Sequence, residues 1–366
     1  MKDNGHCSIC NEPFSPSELI EFDGQLLCPD CFERETIICH RCGERLWEDD
    51  NAGTDTTPLC ERCYEGYYTH CVRCGRLIHE NDASWEGDDG YCDDCHAEYR
   101  NSRPIRDYYY KPAPIFYGGG NRFMGVELEI DGAGERDDYA AALAEIANFS
   151  SGLVYIKHDG SLDEGMELVT HPMTLDYHQQ EMPWGKVLEK ARELGYLSHQ
   201  AGTCGLHVHV NRTAFGRTVR EQEACLARTL FFVEKFWEEL LIFSRRTQRQ
   251  MNRWAARYGY KDIPKEILDH VKKGDHQGRY TAVNLENAET IEFRMFRGTL
   301  KLNTLTATLQ LVDRICDVAI SLSDEELRAM AWPTFVTGCT QPELVQYLKE
   351  RRLYVNEPIE NQEEEL

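Results

Sequence analysis

Three copies of one cysteine pattern fill the start of the chain. Cys7, Cys10, Cys28 and Cys31, then Cys39, Cys42, Cys60 and Cys63, then Cys71, Cys74, Cys92 and Cys95 each read C-x2-C-x17-C-x2-C, recur every 32 residues and leave seven residues between units. This is the spacing of a four-thiolate zinc site held on two knuckles. The surroundings recur too: Leu27, Leu59 and Tyr91 stand just before the third cysteine, and Phe32, Tyr64 and His96 just after the fourth. A disulfide framework is the rival, but the opening MKDNGHC has no apolar run of the kind a secretory leader uses. A reducing, cytoplasmic setting and structural zinc are therefore expected. Four thiolates leave no open coordination position, so the ion builds structure, contributing on the order of 10 kcal/mol to units too small to fold alone.

The units, as in CNEPFSPSELIEFDGQLLCPDC, resemble halves of LIM domains, in which cysteine knuckles flank a short hairpin ending in a buried aliphatic residue. LIM domains use a shorter spacer between fingers than the seven residues here, which favours a string of single-zinc modules serving as a docking surface for a protein partner. Residues 1–100 carry 23 acidic and 8 basic side chains, a net −15. Nucleic acid needs the opposite sign, so a basic protein or a cationic amine is the expected partner. The whole chain, at −23, gives no basis for binding an anionic membrane, and no apolar run is long enough to span one.

At 366 residues the chain has room for two or three domains, and its 41% hydrophobic content, somewhat low, fits a part held by metal rather than by a core. Residues 101–121, rich in Pro, Gly and Tyr, read as a linker, 122–353 as a second domain and 354–366 as a solvated acidic tail. Within the second domain the pattern predicts strands over 123–130, 153–158, up to Thr170, through HVHVN, and over RYTAVNL and TIEFRMFRG, the last two joined by a tight NAE hairpin turn. Helices are expected over 137–149, 176–195, 218–246, 248–257, 262–273, 303–321, 324–330 and 341–352. This is an α+β arrangement with helices packed on one face of a curved sheet.

Three of these strands place ionisable residues two apart: Glu127 and Glu129 in GVELEI, His207 and His209 in GLHVHVN, Glu292 and Arg294 in TIEFRMF. Each pair shares one strand face while Val126, Leu128, Ile130, Val208, Val210, Ile291 and Phe293 take the other. Carboxylates at i and i+2 stand roughly 6.6 Å apart and repel by about 2.5 kcal/mol at an effective dielectric near 20. One such pair is an ordinary solvated face; three on one sheet make a site for hard cations or phosphate.

The order GVELEI, DGS…GMELVTHPM, CGLHVHVN, RYTAVNL…TIEFRMFRGTL resembles the putative amidoligase family of glutamine synthetase-like carboxylate-amine ligases, over about residues 122–315. The resemblance implies a glutamine synthetase-like curved antiparallel sheet with helices behind it. It implies that Glu127, Glu129, Glu167, His207 and Glu292 bind magnesium or manganese and that Arg294 contacts phosphate. It places His209, Asn211, Arg279 and Arg297 toward nucleotide phosphate or a substrate carboxylate. It also implies ATP as cofactor: a substrate carboxylate attacks the γ-phosphoryl, and an amine captures the acyl phosphate as an amide or isopeptide. The carboxylate and amine can belong to a small molecule, a peptide or a protein.

Which of Asp163, Glu164 and Glu167 meets metal is open at this stage, and no Walker A loop is present. Two other classes compete: a metal-dependent hydrolase that turns over without ATP, and an adaptor whose zinc modules act beside an inactive ligase-like domain. Cys204 beside the histidine strand reads as packing before nucleophile, and Cys225, Cys316 and Cys339 read as core.

Overall fold

The computed structural model describes residues 5–149, 151–274 and 278–354, so all of the expected acidic tail except Tyr354 lies outside it. The chain divides into two compact units, Met1–Arg100 and Asn101–Leu366.

In the first unit each leading cysteine pair sits at a knuckle between paired strands: Gly5–His6 with Pro13–Phe14, Thr36–Ile38 with Arg45–Trp47, and Tyr68–His70 with Leu77–His79. The knuckles turn through positive φ at the equivalent residues Asn11, Gly43 and Gly75, 60°, 74° and 73°. A short helix then starts after each third cysteine and carries the fourth: Pro29–Glu35, Glu61–Tyr67 and Asp93–Ser102. Leu27, Leu59 and Tyr91 are buried against the cysteines, giving each unit a miniature core. The seven residues between units are structured, because the first two helices run straight into the next knuckle strand at Thr36 and Tyr68. Trp47 of the second unit packs on Phe22 of the first at 5.0 Å, and Leu77 of the third joins the cluster of the second. Each module thus covers part of its neighbour, as stacked repeats do.

The second unit is built on one sheet of seven strands: β1 (Ile105–Arg106), β2 (Met124–Ile130), β3 (Val154–Lys157), β4 (Met166–Thr170), β5 (Gly205–Asn211), β6 (Val283–Asn284) and β7 (Thr290–Arg297). Their order is β1-β3-β4-β2-β5-β7-β6. All neighbours are antiparallel except β1 and β3, so the expected antiparallel sheet has one parallel edge. That edge comes from the stretch read as a linker.

Among the described residues eleven α-helices follow or intervene: α1 (Asp137–Ala147), α2 (Leu175–Gln180), α3 (Trp184–Glu193), α4 (Val219–Lys235), α5 (Trp237–Ser244), α6 (Gln248–Trp254), α7 (Pro264–Lys272), α8 (Leu302–Ser321), α9 (Asp324–Ala329), α10 (Trp332–Thr337) and α11 (Pro342–Glu350). Met124, Val126, Leu128, Ile130, Leu206, Val208, Val210, Ile291 and Phe293 form one buried cluster with helix residues such as Leu143, Val187, Leu230 and Val312. The result is the α+β architecture expected.

Beyond the β1 edge, four elements differ from the sequence reading, one of them α10 (Trp332–Thr337), which no expected helix covers. The helix expected over 176–195 is two, α2 and α3, parted before Trp184 by Pro183, whose ring cannot continue a helix ladder. The helix expected over 218–246 breaks at Phe236, where the ring packs on Phe232 and Trp332 at 4.9 and 5.5 Å and overrides a helical preference. The RYTAVNL strand pairs with β7 only at Val283 and Asn284, so a wide loop, not a tight NAE turn, links β6 to β7.

Candidate metal centres

On the face of the sheet opposite the core, register converts spaced motifs into a grid. Lys157 pairs with Glu167, and Glu167 with Glu129; Glu127 pairs with His207; His209 pairs with Glu292, and Glu292 with Asn284. Between β5 and β7, Leu206 pairs with Phe296 but Val208 with Phe293, so β7 holds one residue more than β5 across that step. This bulge returns Arg297, which strict alternation would turn to the core, to the face of Glu292.

The result is two overlapping groups of ligand atoms, Glu127–His207–Glu292 and Glu129–Glu167–His207, each with its atoms within 4.8 Å of one another. His207 belongs to both: Nδ1 lies 3.2 Å from Glu127 Oε2 and 3.7 Å from Glu292 Oε1, and Nε2 lies 3.7 Å from Glu129 Oε1. Neighbours hold the carboxylates in place. Asn284 Nδ2 donates to Glu292 Oε2 at 2.8 Å, Arg294 donates to Glu292 Oε1, the Gly205 amide donates to Glu129, and Lys157 Nζ sits 3.3 Å from Glu167 Oε2.

Burial and mutual charge split the carboxylates. Burial alone would raise the Glu127 carboxyl, but the His209 and His207 rings hold it well below the usual range. Burial, reinforced by the Glu127 charge, lifts Glu167 well above that range. Burial works against a charged His209, yet the Glu127 carboxylate raises its affinity for a proton. Its Nε2 is buried 3.1 Å from Glu127 Oε1 without an aligned hydrogen bond. Three buried carboxylates and the half-buried Glu127, with one shared imidazole, form a hard donor set that needs positive charge at its centre, and it fits magnesium or manganese better than zinc.

A cavity of about 680 Å³ opens over this grid, lined by Glu127, Glu129, Glu167, His207, His209, Arg279, Glu292 and Arg294. Asp159 and Ser161 also line it, joined by the Ser161 amide donating to Asp159 Oδ1 at 2.7 Å. Of the three acidic candidates in one segment only Glu167 faces the cavity; the amides of Asp163 and Glu164 are tied to Asp131 at 3.1 and 2.7 Å. Asn211 is outside the lining, its side chain accepting from the Phe123 amide and donating to the Asn121 carbonyl and Thr213 Oγ1. Arg297 is also outside, donating to the carbonyls of His199 and Arg245. Burial pushes the Cys204 thiol up to about 12, which suits packing rather than nucleophilic attack.

Sequence reasoning missed several lining residues: Tyr108, Lys157, Arg246, Trp254, Tyr280 and Asn284. Lys157 was findable, since it ends a strand whose alternation turns it to the same face as Glu167. Tyr280 and Asn284 share a parity in RYTAVNL. Arg246, Trp254 and Tyr108 come from helix ends and loops, where no period announces a direction.

The cysteine centres have the geometry of tetrahedral thiolate ligands. Thiolates about 2.3 Å from a shared ion stand about 3.8 Å apart, and Cys10–Cys28, Cys42–Cys60 and Cys74–Cys92 are separated by 3.8, 3.8 and 3.7 Å. Burial opposes charge on Cys7, Cys39 and Cys71, but knuckle amides outweigh it and bring these thiols down to about 6. Burial and the facing thiols push Cys31, Cys63 and Cys95 up to about 12. A fourfold thiolate site is thus disfavoured without a cation, and the three clusters fit zinc modules.

Residues 151–316 match the model of the family described as "Putative amidoligase enzyme". That segment is similar to an amidoligase-family domain. It contains Glu167, His207, His209, Glu292 and Arg294, while Glu127 and Glu129 reach the same grid from β2, which precedes the matched segment and pairs with two of its strands. Among solved structures, the chain is similar to a bifunctional glutathione synthetase from Pasteurella multocida at 13% identity and a TM-score of 0.32, covering 63% of this chain and 46% of that one. It is similar to the complex between prokaryotic ubiquitin-like protein Pup and its ligase PafA at 9% identity and a TM-score of 0.28, covering 65% and 59%. The chain thus spans about half of the first and somewhat more of the second. No curated protein sequence matches it. Among the described residues no helix is long and apolar enough to cross a membrane.

Proposed function

We propose that the amidoligase domain is an ATP-dependent carboxylate-amine ligase. The observation that carries this reading is the pair of carboxylate groups sharing His207, with the guanidinium of Arg294 at their edge. Glu127, Glu129, Glu167, His207 and Glu292 would hold magnesium or manganese. Such ions, when bound, neutralise phosphate charge and polarise phosphoryl oxygens.

In the proposed reaction a substrate carboxylate oxygen bonds to the γ-phosphorus of ATP and ADP departs, leaving an acyl phosphate. The nitrogen of an amine then bonds to the acyl carbon, phosphate departs and the nitrogen loses a proton. Arg294 stabilises charge on the phosphoryl group during transfer. Trp254 and Tyr280, whose rings meet edge to face at 5.7 Å, give the cavity an apolar wall for a nucleotide base, and Arg279 is steadied there by the Tyr108 and Tyr280 hydroxyls at 2.7 and 3.0 Å. The acidic zinc string is proposed to hold a basic, amine-bearing protein partner.

Hydroxylamine tests the chemistry without knowledge of the amine. With ATP, magnesium and a panel of carboxylic acids, trapped hydroxamate should appear together with ADP. Hydrolysis products formed without ATP would instead identify a metal-dependent hydrolase.

A further inference from the structure

Helix α5 ends at Ser244, and Arg245 follows in the left-handed region, φ 60° and ψ 15°. A residue with a Cβ takes that conformation only when its surroundings impose it. Here they do. Arg351 donates twice to the Ile242 carbonyl, at 3.0 and 3.1 Å, Tyr347 Oη donates to the Phe243 carbonyl at 3.1 Å, and Ser244 Oγ accepts from the Arg246 amide at 3.2 Å. Arg297 donates to the Arg245 carbonyl at 3.4 Å and to that of His199.

The turn sends the Arg246 side chain into the cavity over Gly205. A Cβ on residue 205 would stand 2.7 Å from Arg246 Nη2, 2.7 Å from His207 Nε2 and 3.3 Å from Glu129 Oε2. Only glycine lets guanidinium, imidazole and carboxylate share that space. Among the described residues the Arg246 guanidinium makes no hydrogen bond or ion pair; its one bond is through the backbone amide. Arg294, by contrast, is already engaged with Glu292.

We propose that Arg246 is an oxyanion clamp whose planar fork takes the terminal phosphoryl group of the nucleotide, beside Glu129 and His207, which with Glu167 would hold an ion. This assignment rests on the ligase reading. Arg297 is then a positioning residue: the bulge in β7 that returns it to the site face lets it fasten the turn that aims Arg246.

Calorimetric titration of the full chain with magnesium complexes of AMP-PNP and ADP tests both roles. Arg246→Ala should weaken AMP-PNP binding roughly ten- to hundredfold, the range for hydrogen bonds to a charged group, and leave ADP binding nearly unchanged. Arg246→Lys should recover part of the loss, since it keeps the charge but not the fork. Arg297→Gln should reproduce the selective loss. Equal weakening of both nucleotides by Arg246→Ala, or no change in either, overturns the clamp. If Arg297→Gln leaves the preference for AMP-PNP intact, its positioning role is overturned. A parent protein that binds neither nucleotide overturns the ligase reading and this assignment with it.

Discussion

His207 decides what the site can be, because one ring serves two carboxylate groups through opposite nitrogens. Without a cation the surrounding carboxylates repel, and burial with the Glu127 charge raises the Glu167 carboxyl well above the usual range. Saturating magnesium or manganese should therefore stabilise the second unit, by about 3 kcal/mol at a hundredfold excess over Kd, and Glu129→Ala should remove most of that response. Thermal melting with and without ions checks this, and an ion-indifferent parent would contradict it. His178 gives a separate test away from the site. It is fully buried, and burial pushes it down to about 4, although Nε2 donates to the Met124 carbonyl at 3.0 Å and Nδ1 accepts from Trp184 Nε1 at 3.4 Å. Its folded value lies below its unfolded one, so it adds stability above about pH 6.5 that is lost as pH falls toward 4, by up to about 3 kcal/mol. Denaturant titrations at pH 7 and pH 5 should show the decline, and His178→Gln should reduce it.

At the scale of elements, the strands that carry the chemistry were legible because a period of two is short and each strand had an unbroken apolar face. Val126, Leu128, Val208 and Phe293 announced the core side of their strands, so the opposite side of Glu127, Glu129, His207, His209 and Glu292 followed. What alternation could not supply was the bulge opposite His207, the break at Phe236 and the left-handed turn at Arg245. Each is imposed by packing between residues distant in sequence. Asn211 and Arg297 were placed toward the nucleotide by resemblance alone, and the fold spends both on backbone carbonyls and amides. The cysteine modules were legible for the opposite reason, since a thiolate site is specified by local spacing. Elemental analysis should find three zinc ions per chain, one per cluster, and Cys63→Ser should leave two. Retention of three would contradict one closed site per module.

For the whole molecule, the clusters of soft ligands lie in one unit and the clusters of hard ligands in the other. The modules carry a net −15, so their attraction for a basic partner should fade as salt rises. Deletion of residues 1–100 is predicted to abolish binding of such a partner and to leave ADP formation with small carboxylates and amines in place; unchanged partner binding would exclude a docking role. The central claim is that the grid of Glu127, Glu129, Glu167, His207 and Glu292 joins a carboxylate to an amine. Its most direct test is ADP release by the purified chain with ATP, magnesium and a panel of carboxylates and amines, followed alongside the masses of the panel. The account predicts ADP formed one for one with a condensed product, dependent on both substrates and lost in Glu127→Ala. Condensation or cleavage that proceeds without ATP would contradict it.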